Sequence, residues 1–247
     1  KLFKNYSVDM SNFWSKELPA GYYDEILKEE KNIKRGIQKN WHMTIFKNVS
    51  KNITDKMTHL DYACGPGTFI GKFTNAKSIG VDLSEQQIKY ASTTYQNEGD
   101  FYTLQDFNIK DYEGKFDVVT VLGLLEFIDS RDAEQLIDNL LKLIKQDGKI
   151  IFSTPNYGGS MKILELILNR LGPINYKNEF KVRYTEDKIH KLFSNISQNY
   201  KVEKIVNFGI FLSFLNIRIS NRAISLINKL FNGYFGFIFL ISIQKED

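Results

Sequence analysis

The sequence predicts an α/β fold: a parallel sheet with helices on both faces, preceded by a helical cap. Three observations point there. From about Met57 onward, short apolar runs alternate with amphipathic stretches, the pattern of parallel strands joined by crossover helices. Residues 1–56 lack such runs and carry scattered aromatics with polar, helix-favouring stretches such as Asp24 to Lys31. A glycine-rich turn then links the first apolar run to the first helix of the repeating part.

The apolar runs follow in order. They are His59 to Ala63, Ser78 to Asp82, Phe101 to Leu104, Phe116 to Leu122 and Lys149 to Ser153. A helix is expected after Ser84, where Ser84 and Gln87 have the spacing of a capping box. Another is expected from about Arg131 to Lys145, with Leu136, Ile137, Leu140, Leu141 and Ile144 on one face and Gly148 beyond its end. The alternation breaks late. After a helix starting near Thr185 come two apolar stretches, Tyr200 to Phe208 and Phe235 to Gln244, read as neighbouring strands. Two further apolar segments, 157–175 and 210–232, are long for connections, and domain boundaries are expected at 1–56 and 57–247.

Composition narrows the function classes. Of 247 residues 43% are hydrophobic and 25% charged, an ordinary globular balance, and the net charge is only +4. That is too even to imply a nucleic-acid partner, which calls for concentrated positive charge. A single cysteine, Cys64, allows no intramolecular disulfide and suits a reducing compartment. No long apolar stretch follows Lys1-Leu2-Phe3-Lys4, so a cytoplasmic location is expected.

The sharpest signal is Asp61-Tyr62-Ala63-Cys64-Gly65-Pro66-Gly67-Thr68. Glycine permits positive φ and close approach of a ligand to the backbone, and the following helix start presents free N–H groups. Asp82 ends the second apolar run, where a carboxylate can accept from both hydroxyls of a nucleoside ribose. Asp106 ends the third, placed to meet an exocyclic amine, with Phe107 as an apolar edge. Each has a plainer reading: a tight turn for the glycines, a helix-flanking acid for Asp82, a solvated turn residue for Asp106.

On these residues the chain resembles the class I methyltransferases that use S-adenosylmethionine (AdoMet). Asp61 to Gly67 is similar to their first motif and Ile79 to Ser84 to their second strand. Phe116 to Ile128 and Gly148 to Asn156 are similar to their fourth and fifth motifs. Together these span about residues 57–156. The resemblance implies a Rossmann-like sheet ending in an antiparallel strand. It implies that Asp61 lies near the cofactor ammonium, that Gly65, Pro66 and Gly67 pass its methionine moiety, and that Ala63 belongs to the cofactor set. Asp82 would hold the ribose and Leu83 pack on adenine, with Gln87, Asp106, Phe107 and Leu122 completing the cofactor set; no metal is expected.

Two rivals share part of the pattern. A nicotinamide-dependent oxidoreductase would need G-x-G-x-x-G, but Ile70 occupies the third glycine position and Gly71 comes one residue late. A Tyr184-x-x-x-Lys188 pair reads as chance. A non-catalytic AdoMet-binding subunit is the other rival. For transfer to a hydroxyl a base is useful: His42 leads the candidates, followed by Tyr23 and Glu126. The acceptor is expected to be a small molecule, or a lipid- or sugar-linked one, methylated at oxygen. Residues 210–232 are read as a lid or as a peripheral membrane surface.

Overall fold

A computed structural model describes residues 18–28, 33–158, 161–162, 165–166, 179–197, 199–205 and 236–245. The segment 210–232, and most of 157–175, lie outside the described residues. Two helices come first, α1 (Tyr22–Lys28) and α2 (Ile33–Ser50). Then β1 (Thr58–Tyr62), α3 (Thr68–Phe73), β2 (Lys77–Asp82), α4 (Glu85–Thr94) and β3 (Gly99–Thr103) alternate. After β4 (Phe116–Leu122) come α5 (Ser130–Leu143) and β5 (Ile144–Pro155), and the chain closes with α6 (Glu186–Ser194), β6 (Tyr200–Ile205) and β7 (Ile238–Gln244).

The strand order is β3-β2-β1-β4-β5-β7-β6. β1 to β5 pair in parallel, and β7 lies antiparallel between β5 and β6. Order reverses at β1, with β2 on one side and β4 on the other. That reversal opens a crevice at the carboxyl ends of these strands, where open α/β sheets bind ligands.

Side-chain alternation explains the two covered faces. Leu60 and Tyr62 of β1, Val119 and Val121 of β4, Ile150 and Phe152 of β5, and Phe239, Ile241 and Ile243 of β7 face one way. There they pack on Leu136, Ile137 and Leu140 of α5 and on Ile189, Leu192 and Phe193 of α6. Val118, Ile151, Ile238 and Leu240 face the other way, against Ile45, Phe46 and Val49 of α2 and Phe69 of α3. Helix α2 therefore shares its core with the sheet. The cap proper is residues 18–28, whose buried Leu18, Tyr22 and Ile26 form a small cluster of their own.

Two local readings change. α5 stops at Leu143 instead of Lys145: Asp147 adopts φ 62° and β5 begins at Ile144. The Ser84 hydroxyl does accept the Gln87 N–H at 3.4 Å, but the reciprocal half of a capping box is missing. The Ser84 N–H goes to Asp82 Oδ1 at 2.8 Å, and the Gln87 amide turns to the cap.

Candidate cofactor and acceptor site

The chain leaves β1 through Ala63, Gly65 and Gly67, which adopt φ of 63°, 53° and 72°. Left-handed backbone at a non-glycine such as Ala63 costs of order 1 kcal/mol and is typically kept where function requires the shape. The two glycines do different work. A Cβ on Gly65 would meet only the Tyr23 ring, at 3.4 Å, so its backbone faces the crevice under that ring. A Cβ on Gly67 would strike Phe101 Cε1 at 2.7 Å. Gly67 does not line the crevice; it lets α3 settle on β3 and α4. Its neighbours Pro66 and Thr68 do line the crevice.

Two carboxylates flank this bend. Asp82 Oδ2 accepts the Gly65 N–H at 2.9 Å while Oδ1 accepts that of Ser84 at 2.8 Å. Burial raises the Asp82 pKa, and those N–H groups hold it back. Asp61 is buried on the α2 face of β1. Burial pushes its carboxyl up to about 7, partly offset by the Thr120 hydroxyl bond and reinforced by Asp82 nearby.

A polar chain behind Asp61 sets its orientation. Thr120 Oγ1 donates to Asp61 Oδ1 at 2.6 Å. That spends the only Thr120 proton, so His59 Nε2, 2.8 Å away, must donate to Thr120. His59 Nδ1 is then bare and lies 3.0 Å from the Ser78 hydroxyl, whose one proton it shares with the Ala76 carbonyl at 3.1 Å. Burial pushes the imidazole down to about 3, which keeps it neutral. His59 is thus a structural histidine on the sheet, away from the crevice opening.

The same crevice is walled by Tyr23, Trp41, His42 and Phe46 from the N-terminal helices and by Leu83 and Leu104 after β2 and β3. Leu122, Glu126, Pro155, Met161 and Phe180 close the far end. Among the described residues the lining contains no lysine or arginine. The Thr68 hydroxyl also lines it, buried and with no hydrogen-bond partner among the described residues. Two acids, an unpartnered hydroxyl and a backbone bend open to a ligand suit a cationic, hydroxyl-bearing nucleoside. A pyrophosphate would favour a helix terminus without flanking acids.

The model of a family described as "Methyltransferase domain" matches residues 32–196, more than half of the chain. The chain belongs to the methyltransferase family. This methyltransferase is 36% identical to the ubiquinone biosynthesis O-methyltransferase of Coxiella burnetii over 117 residues, 44% of this chain and 49% of that protein. It thus spans about half the length of the curated relatives it matches. Among solved structures it resembles magnesium protoporphyrin IX methyltransferase from Synechocystis PCC 6803 with bound S-adenosylhomocysteine (AdoHcy), at TM-score 0.60 and 16% identity over 96% of this chain and 99% of that one. It also resembles geranyl diphosphate C-methyltransferase from Streptomyces coelicolor A3(2), at TM-score 0.57 and 13% identity over 96% and 97%. At such identities the likeness is one of fold: the class I, Rossmann-like methyltransferase sheet.

Most of the residues singled out in the sequence meet at the methyltransferase crevice. Asp61, Ala63, Gly65, Pro66, Asp82, Leu83, Gln87 and Leu122 all line it, with Tyr23, His42 and Glu126. Asp106 and Phe107 do not. Asp106 is exposed and takes the Thr103 hydroxyl at 2.6 Å, while Phe107 is buried against Tyr112, ring centroids 4.7 Å apart. The turn after β3 points both away, and Leu104 faces the crevice in their stead. Gln87 reaches the lining, yet its side-chain amide is spent on the backbone of Leu18, Pro19 and Gly21. Tyr184 and Lys188 form no site: Tyr184 is buried in the core and Lys188 caps the Arg183 carbonyl at 3.1 Å.

Beside the bend, His42 lies 4.6 Å from the Tyr23 ring and 5.8 Å from Phe46, centroid to centroid. Burial in this aromatic wall pushes its imidazole down to about 4. Glu126 is buried and pushed up to about 7 by desolvation; the Thr154 hydroxyl donates to its Oε2 at 3.0 Å. Its main-chain carbonyl accepts the N–H groups of Lys181 and Val182 at 2.9 and 3.2 Å, which anchors the segment next to Phe180, itself in the crevice lining. Thr68, Trp41, Leu104 and Phe180 were missed in the sequence. Only Thr68, directly after the glycine bend, carried a local signal.

Proposed function

We propose that the crevice binds AdoMet at its Asp61–Asp82 end and methylates a hydroxyl on a small, largely apolar acceptor at its Glu126–Phe180 end. The carrying observation is the pair of carboxyls at the ends of β1 and β2, facing one bend in a crevice whose described lining has no lysine or arginine. Asp61 would take the cofactor ammonium, Asp82 the ribose hydroxyls, Leu83 and Leu104 the adenine faces, and Thr68 a polar edge of the methionine moiety. When bound, AdoMet supplies an electrophilic methyl on a sulfonium centre for in-line attack by the acceptor.

The chain's own contribution is alignment and exclusion of water. Trp41, Ile45, Phe46, Met161 and Phe180 give the acceptor an apolar berth. Of the three base candidates, Glu126 is best matched to neutral pH, because a base works best with a pKa near the working pH. His42, held near 4, stays neutral and is a weak base. Tyr23, raised above its ordinary value by burial, stays protonated and covers the bend. The Coxiella burnetii relative, named an O-methyltransferase, supports oxygen as the target.

Calorimetry tests the reading. AdoMet and AdoHcy should bind with one site per chain and NADH should not; the reverse order would overturn it. A coupled assay for AdoHcy release across hydroxylated aromatic and aliphatic acceptors then separates an enzyme from a cofactor-binding subunit.

A further inference from the structure

Asp24, in the first turn of α1, has no part in the chemistry above, yet it is a carboxylate with only 1% of its surface exposed. It gathers four contacts from the body of the fold. Tyr90 Oη donates to Oδ2 at 2.9 Å, Tyr95 Oη lies 2.8 and 2.7 Å from Oδ1 and Oδ2, and Lys72 Nζ sits 2.7 Å from Oδ1. Tyr90 and Tyr95 belong to α4 and its end, Lys72 to α3. Burial first, then the carboxylate itself, raises both phenol pKa values, so both remain donors. Alongside, Gln87 of α4 grips the backbone of Leu18, Pro19 and Gly21. Gly21 enters α1 at φ 73° with the Tyr90 ring where a Cβ would be, 2.5 Å away.

What this network holds is one wall of the crevice. Leu18, Tyr23 and Gln87 line it, and the Tyr23 ring sits directly over Gly65 and edge-on to His42. The cap's own apolar cluster is small, Leu18, Tyr22 and Ile26 with Tyr23 against it. Polar contacts to α3 and α4 therefore carry much of its attachment. Charge-assisted bonds to a buried carboxylate are the strong kind, and losing one leaves its donors unpaired.

We propose that Asp24 is a positioning residue: by joining α1 to Tyr90, Tyr95 and Lys72 it holds Tyr23 down on the Gly65 bend and sets how long the nucleoside stays bound. The proposal rests on the AdoMet reading of the crevice. Asp24 touches neither cofactor nor acceptor; it acts through Tyr23.

The test measures AdoHcy dissociation from the full chain by stopped-flow competition. Four proteins are compared: native, Asp24→Asn, Tyr90→Phe/Tyr95→Phe, and Thr58→Val. The last removes a hydrogen bond to Asp117 at the opposite end of β1 and serves as a stability control. Asp24→Asn should release AdoHcy about tenfold faster, the equivalent of one charge-assisted bond lost. The double phenol variant should release it severalfold faster, and Thr58→Val at the native rate. Amide exchange within 18–28 should quicken in the first two variants and not in β4. Native-like release from Asp24→Asn, or equal acceleration in Thr58→Val, overturns the proposal. If Asp24→Asn does not fold, the phenol variant decides by the same criterion. Failure of the native chain to bind AdoHcy at all would overturn the cofactor reading itself, a distinct outcome.

Discussion

Replacing Asp82 by alanine removes two things at once. The carboxylate is expected to accept from the ribose hydroxyls, and it already accepts the N–H groups of Gly65 and Ser84 at 2.9 and 2.8 Å. Hydrogen bonds to a charged group contribute about 1.5–3 kcal/mol each, so losing both ribose bonds weakens AdoMet by roughly 100-fold or more. The protein itself should also suffer. Two N–H groups at the bend lose their acceptor, but a carboxylate with a raised pKa is removed, so the net loss is about 1–3 kcal/mol. For a domain of this size that lowers Tm by roughly 2–10 °C. Asp82→Asn keeps one acceptor oxygen and should fall between. Calorimetry reads the affinity and thermal melts without ligand read the brace. Affinity unchanged within threefold would refute the ribose placement, and an unchanged Tm would refute the brace. Asp106→Ala is the contrast: an exposed side chain outside the crevice should change neither.

AdoMet affinity should depend on pH through Asp61. Its carboxyl sits near 7 without ligand, and an ammonium partner favours the ionised form, so binding releases a proton and weakens by up to tenfold per unit below about pH 7; Asp61→Asn should bind weakly with no such slope in calorimetric titrations. Glu126 gives a stability signal of fixed sign. With its pKa raised to about 7, the native state holds the extra proton between roughly pH 4 and 7, so stability falls as pH rises through that window. Glu126→Gln should flatten that part of the Tm–pH curve and lower kcat more than it raises the KM for AdoMet; a curve as steep as the native one would refute the burial argument. The two glycines should part company. Gly67→Ala meets Phe101 at 2.7 Å with φ 72° and should cost about 2–4 kcal/mol in denaturant melts. Gly65→Ala, open except for Tyr23, should cost about 1 kcal/mol in stability but clearly weaken AdoMet.

The parts legible in the sequence are those where one residue type answers one local demand. Alternating apolar runs located β1 to β5, because a strand buried on both faces can hardly read otherwise. The bend and Asp82 were legible because positive φ and a strand-end acid leave local marks. Asp106 shows the limit of position alone: its place after β3 suggests a ligand-facing acid, yet it is exposed outside the crevice lining while Phe107 beside it is buried against Tyr112. Likewise Gln87 looked like half of a capping box until a segment 66 residues away claimed its amide. The His59–Thr120 link joins residues 61 apart, and no local pattern announces it. Long-range polar pairing was the illegible part throughout, since it depends on which strand ends meet.

Burial of the crevice acids also accounts for the cation preference proposed for it. Asp61 and Glu126 are each pushed up to about 7 by burial, and Asp82 is raised as well, with no lysine or arginine in the described lining to offset them and His42 held neutral. Without ligand, Asp61 and Glu126 are partly protonated at neutral pH. A ligand bringing an ammonium and a sulfonium lets them ionise, so part of the burial cost of the free protein becomes affinity on binding. A dinucleotide would do the opposite, placing phosphates beside acids already reluctant to ionise. The proposed ligand preference therefore follows from the burial of Asp61 and the absence of lysine or arginine in the described lining, more than from the glycines. It predicts that introducing a cation, as in Leu104→Lys, should weaken AdoMet at least tenfold without creating NADH binding. AdoMet affinity unmoved by that added charge would mean that the acids of the crevice do not govern its choice of ligand.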